Sequence, residues 1–153
     1  MPCSVSTEIK NIADRDETAR RLMTIPGVGP LGATAILASI GDPARFKKAR
    51  DVAACLGLVP RQHSTGGKQT LLGIAKRGSS YLRTLLIHGA RSVLMYLDRT
   101  KDRLGQWADE LRARMHVNKV TVALAAKLAR VVWVVLSKSG VTYERRAPEG
   151  VCA

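Results

Sequence analysis

Apolar positions recur at helical spacing over most of the chain, and that period predicts a mostly α protein. Residues 8–23 read as a charged amphipathic helix on which Ile9, Ile12, Ala19 and Leu22 share a face in imperfect register. A second helix follows from about Pro30 to Ile40, with Gly41 as its stop. Asp42-Pro43 supplies a cap and a first-turn proline for a third helix, which runs through Phe46, Val52, Ala53 and Leu56 to Gly57. The clearest pattern is Leu82, Leu85, Leu86, Gly89, Val93, Tyr96 and Leu97, which predicts a helix from about Ser80 to Leu97 capped by Ser79. Two more helices span about 102–115 and about Lys119–Lys138; Ala123, Ala125, Ala126 and Ala129 suit the last to close packing.

The period breaks between Leu58 and Gly78. This stretch reads as an irregular loop between helices, holding a short hairpin or irregular turns. A loop of that length in a folded domain is usually functional or disordered. Leu58, Val59, Leu71, Leu72 and Ile74 argue that it packs. The expected organisation is one unit over 1–140, with a helix-hairpin-helix at about 20–41, a serine loop at 57–78 and a helical part at 79–138. Residues 141–153 read as a flexible tail.

The turn between the first two helices carries the first candidate chemistry. In Ile25-Pro26-Gly27-Val28-Gly29-Pro30, two glycines flank one apolar residue. Glycine accepts the unusual dihedrals of a tight interhelical turn and lets another backbone or a phosphate approach. The first N–H groups of the following helix have no intrahelical partner and sit at the positive end of its dipole. Gly27, Val28 and Gly29 are therefore candidate phosphate contacts, with Ala33 small enough for the helices to cross closely. An ordinary glycine-rich turn between packed helices fits the same residues.

Charge sharpens this reading. The 153 residues carry 25 Lys and Arg against 12 Asp and Glu, a net charge of +13. Such a balance favours a polyanionic partner. It is unevenly spread: residues 58–99 hold seven basic residues and one acidic, and 52–97 hold no acidic residue. That middle segment is the best candidate for the surface nearest phosphates. Three cysteines, Cys3, Cys55 and Cys152, without a C-x-x-C pair, argue against a disulfide scaffold or a zinc site. Together with the absence of a signal-peptide pattern, they point to the cytoplasm. The apolar run at Val131–Leu136 reads as too short to span a bilayer.

The second candidate lies in Pro60-Arg61-Gln62-His63-Ser64-Thr65-Gly66-Gly67-Lys68. Ser64 is the one plausible nucleophile, beside two glycines and amid Arg61, Lys68, Lys76, Arg77 and Arg83. A serine attacking a phosphodiester needs deprotonation and a positive surround for the developing oxyanion. Ser-Thr-Gly-Gly is also a commonplace loop, and successive strand side chains point to opposite faces, which counts against a direct His63–Ser64 pair.

The turn Ile25–Pro30, the loop Gly57–Lys68 and the run Ile74-Ala75-Lys76-Arg77-Gly78-Ser79-Ser80-Tyr81-Leu82-Arg83-Thr84-Leu85-Leu86 together closely resemble the C-terminal domain of DEDD-type bacterial insertion-sequence transposases. These are related to pilin-gene invertases and to bridge-RNA-guided recombinases. The resemblance covers roughly residues 15–138. It implies a DNA partner, a homo-oligomer in the complete enzyme, and no membrane; it admits a guide RNA as a further partner. In the family a RuvC-like N-terminal domain supplies four acidic residues that bind magnesium, and the serine of the Ser-x-Gly-Gly motif attacks DNA. By position that serine is Ser64, with Arg61, Thr65, Gly66, Gly67, Lys68, Lys76, Arg77 and Arg83 as DNA contacts. No acidic tetrad is legible: Asp14, Asp16, Glu17 and Asp42 sit at helical or capping positions. The expectation is a transposase C-terminal part with no metal site or cofactor of its own, inactive without the magnesium-binding domain. A non-catalytic nucleic-acid-binding module and a protein assembly domain fit the same composition.

Overall fold

Leu124, Ala125, Leu128, Ala129, Val132 and Val135 are all buried on α7 (Val117–Ser137), and the other helices gather around it. The computed structural model describes residues 3–97 and 102–146, with backbone only at Cys3, Gln62, His63, Ser64, Gln69 and Leu71. Within them lie α1 (Cys3–Arg15), α2 (Glu17–Met23), α3 (Pro30–Ile40), α4 (Ala49–Cys55), β1 (Pro60–Thr65), β2 (Lys68–Ile74), α5 (Ser80–Tyr96), α6 (Arg103–Arg112) and α7. The protein is mostly α, with one two-stranded antiparallel sheet among the described residues.

Helix α7 packs against α2, α4, α5 and α6, while α1, α2 and α3 form a second group joined to it through α2 and α5. Each fully buried Leu or Val here is worth about 1.5–3 kcal/mol over its exposed state, so one aliphatic core fixes the relative placement of the helices. Arg21 closes one seam: its Nη1 donates to the Val135 carbonyl at 3.0 Å and to the Lys138 carbonyl at 2.8 Å. These are end-of-helix carbonyls of α7, where a cation also complements the dipole.

Four expectations change. The helix over 8–23 is two helices, because the Asp16 carboxylate accepts from the Thr18 and Ala19 N–H groups and starts α2 afresh. The helix from Asp42 to Gly57 is likewise divided. Asp42 caps only a 3-10 turn, Pro43–Arg45, and α4 begins at Ala49, with Asp51 accepting from the Lys48 N–H. The irregular loop at 58–78 is an ordered hairpin, β1–β2. The expected loose tail is tied down over 141–146: the Tyr143 N–H donates to the Thr24 hydroxyl at 2.8 Å and the Arg103 N–H to the Arg146 carbonyl at 2.9 Å. Residues 147–153 lie outside the described residues.

The last helix falls close to the expected 119–138 and extends well beyond the apolar run Val131–Leu136. By length and composition α7 could cross a membrane, at a mean hydropathy of 1.8. In the fold it is the core helix, with eight residues buried against its neighbours.

Candidate nucleic-acid interface

The hairpin turns on Gly66 and Gly67, with φ of 61° and 76°. Positive φ at both central residues defines the type I′ turn, whose twist matches that of the flanking strands. Thr65 pairs with Lys68 beside the turn, Ser64 with Gln69, His63 with Thr70 and Gln62 with Leu71. The register then slips, so that Leu72 and Gly73 together oppose Arg61 before Pro60 meets Ile74. Such a bulge bends the strand and increases its twist. No residue whose burial is described between 60 and 75 is buried; Arg61, Thr65, Gly66, Gly67 and Lys68 are all exposed. Ser64 thus occupies a backbone position two residues before the turn pair, near the end of a ribbon that leaves the body.

The root of the ribbon is tightly sewn. The Ala75 N–H donates to the Val59 carbonyl at 3.0 Å and the Lys76 N–H to the Gly57 carbonyl at 3.2 Å. Lys76, a non-glycine residue with positive φ (54°), and Arg77 are exposed beside it. Arg83 is differently employed from the contact expected of it: its Nη1 donates to the Leu56 and Arg77 carbonyls, each at 3.0 Å.

The α2–α3 turn also departs from expectation. A Cβ on Gly27 would stand 2.6 Å from the Gly89 carbonyl oxygen, and one on Gly89 would overlap the Gly27 carbonyl. The bare backbone at Gly27 therefore serves close approach to α5. Val28 is buried, and its N–H donates to the Ile25 carbonyl at 3.1 Å. Gly29 alone of the three is open, with nothing within 4 Å of where a Cβ would stand. It is the N-cap of α3, makes no side-chain cap, and precedes a proline that has no N–H. The Leu31 and Gly32 N–H groups follow in the first turn, where helical geometry offers them no partner.

Both features are referred to α5. The turn rests on it at Gly89 and the hairpin root at Arg83, about 9 Å apart along the axis at 1.5 Å per residue.

A groove of about 840 Å³ between α6, α7 and residues 140–146 was not legible in the sequence. Lys127 lies over the Trp107 ring, 3.9 Å from its centroid. Burial, then the nearby Arg130 and Arg103, holds its ammonium below the ordinary lysine value. Burial and the Asp102 carboxylate push the Tyr143 phenol up. Asp102 caps α6 by accepting from the Leu104 N–H at 2.9 Å. Residues from three separate elements build this groove, and no local motif announces it. Among the described residues no group of three or more His, Cys, Asp or Glu side chains could hold a metal ion.

The described residues thus define a helical domain that carries an exposed basic hairpin and an open helix start at Gly29. The chain belongs to the transposase IS116/IS110/IS902 family, whose profile matches residues 19–104, a span that holds the α2–α3 turn and the whole hairpin. It is 46% identical over 137 residues to the transposase for insertion sequence element IS1328 of Yersinia enterocolitica, covering 90% of this chain and 41% of that protein. It is 46% identical over 131 residues to the transposase for insertion sequence element IS1111A of Coxiella burnetii, covering 86% and 36%. Over 71 residues it is 38% identical to a pilin gene-inverting protein of Moraxella bovis, covering 44% and 21%. The chain therefore spans about two fifths, or less, of the length of these curated relatives.

Proposed function

We propose that this chain is the DNA-binding C-terminal part of a DEDD-type transposase, and that Ser64 is the nucleophile that attacks a DNA phosphodiester. The observation that carries the reading is the hairpin: it sets Ser64 two residues from an exposed Gly-Gly turn, with Arg61 and Lys68 exposed on the same ribbon. A ribbon of this width can enter a groove or lie along a backbone. Lys76 and Arg77 at the root extend the positive surface.

In this reading the Ser64 hydroxyl oxygen forms a bond to phosphorus as the bridging P–O bond breaks. The serine gives its proton to water, and the departing strand end takes a proton from water and leaves as a hydroxyl. The phosphodiester is conserved as a phosphoserine ester, so resealing needs no external energy source. Arg61 and Lys68, which strand alternation places on the face of the ribbon opposite position 64, draw in the flanking DNA backbone. Gly29, with the N–H groups of Leu31 and Gly32, holds a neighbouring phosphate. Magnesium belongs to the RuvC-like domain that completes the enzyme. Cytoplasmic action on DNA, by a homo-oligomer, completes the reading.

The decisive experiment joins this segment to its RuvC-like domain and follows a labelled DNA strand for covalent attachment. Wild type forms an adduct stable to denaturant; Ser64→Ala forms none yet keeps DNA affinity within about threefold. An adduct that persists in Ser64→Ala refutes the nucleophile. For the chain alone, neutralising about six phosphates gives a log–log salt slope near −5, and equal affinity at 50 and 200 mM salt refutes DNA binding.

A further inference from the structure

We infer that Arg83 is a positioning residue that sets the angle of the serine hairpin on the helical body, rather than a DNA contact. The inference rests on the reading of Ser64 as nucleophile for its consequence, but not for its geometry.

The ribbon joins the body through two legs, residues 56–59 going out and 75–78 coming back. Arg83 holds both. One nitrogen donates to the Leu56 carbonyl on the outgoing leg and to the Arg77 carbonyl on the returning leg, each at 3.0 Å. Leu56 ends α4, where its carbonyl has no intrahelical donor. Arg83 itself is the fourth residue of α5 and half-buried. A cation so near a helix N-terminus gains nothing from the dipole, so its placement needs another cause, and the two carbonyls supply one. The helix that carries it is fixed, because Leu82 and Leu86 on either side are buried in the core.

The legs themselves touch. Gly57 lies against the Lys76–Arg77 backbone, and Gly78 lies against the Cys55 carbonyl, so closely that neither site has room for a Cβ. Two ladder bonds, Ala75 to Val59 and Lys76 to Gly57, complete the root. Arg83 ties this joint to α5, and through α5 to the core.

Lever length makes the clamp matter. About five residues at 3.3 Å separate the root from the register of Ser64, so the arm is about 16 Å. A tilt of about 10° at the root moves the far end by about 3 Å. Reacting groups are held productively within about 0.5 Å, and a misplacement near 1 Å costs about a hundredfold in rate.

The test uses Arg83→Met, which keeps the stem and removes the donors. On the chain alone, amide exchange at Ala75 and Lys76 should speed about tenfold while amides at Leu128 and Val132 stay protected. With the RuvC-like domain present, the rate of adduct formation should fall about a hundredfold, with DNA affinity and salt slope unchanged within twofold. A phosphate contact gives the opposite pattern: hairpin amides unchanged, affinity lower, and a salt slope reduced by about one. That result overturns the proposal. If Arg83→Met exposes the α7 amides as well, Arg83→Lys decides. Its shorter ammonium keeps the charge but does not span both carbonyls, so exchange at Ala75 and Lys76 should rise about threefold with affinity retained; unchanged exchange overturns the proposal. If Ser64→Ala still forms an adduct, the functional reading fails, while the exchange result judges the clamp separately.

Discussion

Gly27-Val28-Gly29 and Gly66-Gly67 look alike in the sequence, but the fold uses them in opposite ways. The first turn faces inward. Gly27 meets Gly89 of α5 backbone to backbone, and Ile25 and Val28 on either side are buried. The second faces outward: nothing lies within 4 Å of a Cβ at either glycine. An absent Cβ can mean room for a partner helix or freedom for φ. The residue type is silent on which, and only the surface around it decides. The comparison also divides the labour of the chain: Gly27 fixes the body, and the outward pair shapes what the body presents.

The inward glycine is where a substitution should cost most. In Gly27→Ala the new methyl meets the Gly89 carbonyl oxygen at 2.6 Å and Val93 at 3.0 Å, at a φ of 82°. Overpacking and a left-handed alanine together should destabilise the chain by about 3 kcal/mol, read as a lower urea midpoint. Gly89→Ala should do the same, since its methyl overlaps the Gly27 carbonyl. A wild-type midpoint in both would return Gly27 to the surface. Gly29→Asp separates stability from binding. A carboxylate at the N-cap of α3 should stabilise the helix by about 0.5 kcal/mol while repelling a phosphate, so DNA affinity should fall about tenfold as the melting temperature rises. Unchanged affinity would remove this helix start from the interface.

On the outward pair the effect should be smaller and local. Gly67→Ala places alanine at a φ of 76°, which costs about 1–2 kcal/mol. The ribbon holds no residue described as buried between 60 and 75. The cost should therefore appear as faster exchange of hairpin amides, with the global midpoint moved by less than about 0.5 kcal/mol. A global loss as large as that of Gly27→Ala would erase the distinction between the two glycine pairs.

How far the sequence carried depended on whether the signal was local. The helix from Ser80 was legible to within a residue because its stripe is regular and Ser79 caps it through the Leu82 N–H. The break at Asp16 was hidden because Ile12 and Ala19 keep a plausible helical spacing across it, while the Asp16 carboxylate decides matters by capping. The hairpin was only half visible. Its Gly-Gly turn is a strong hairpin signal, but the bulge at Leu72-Gly73 spoils the alternation that would have marked β2. Arg83 reads as one more cation in a basic segment; its partners lie 27 and 6 residues away and are backbone carbonyls, which leave no mark in a sequence. Ser64 stood out by its neighbours, not by any local sign of reactivity.

The smallest expected effect probes the charge rather than the glycines. Twenty-five basic residues cannot all face the same partner, and the fold separates those with work inside it from those without. Arg21 is bound to the end of α7, and Lys127 lies over Trp107. Arg61 and Lys68 stand exposed on the ribbon. If the ribbon lies on the DNA backbone, Lys68→Ala should lower the magnitude of the log–log salt slope by about one unit and weaken binding a few-fold, equally for unrelated sequences. Lys138→Ala, an equally exposed lysine just past α7, removes the same charge from the body and should leave the slope within about 0.3 of a unit. Equal slopes in the two variants would mean that the +13 charge acts as a diffuse cloud and that the hairpin has no privileged place in it.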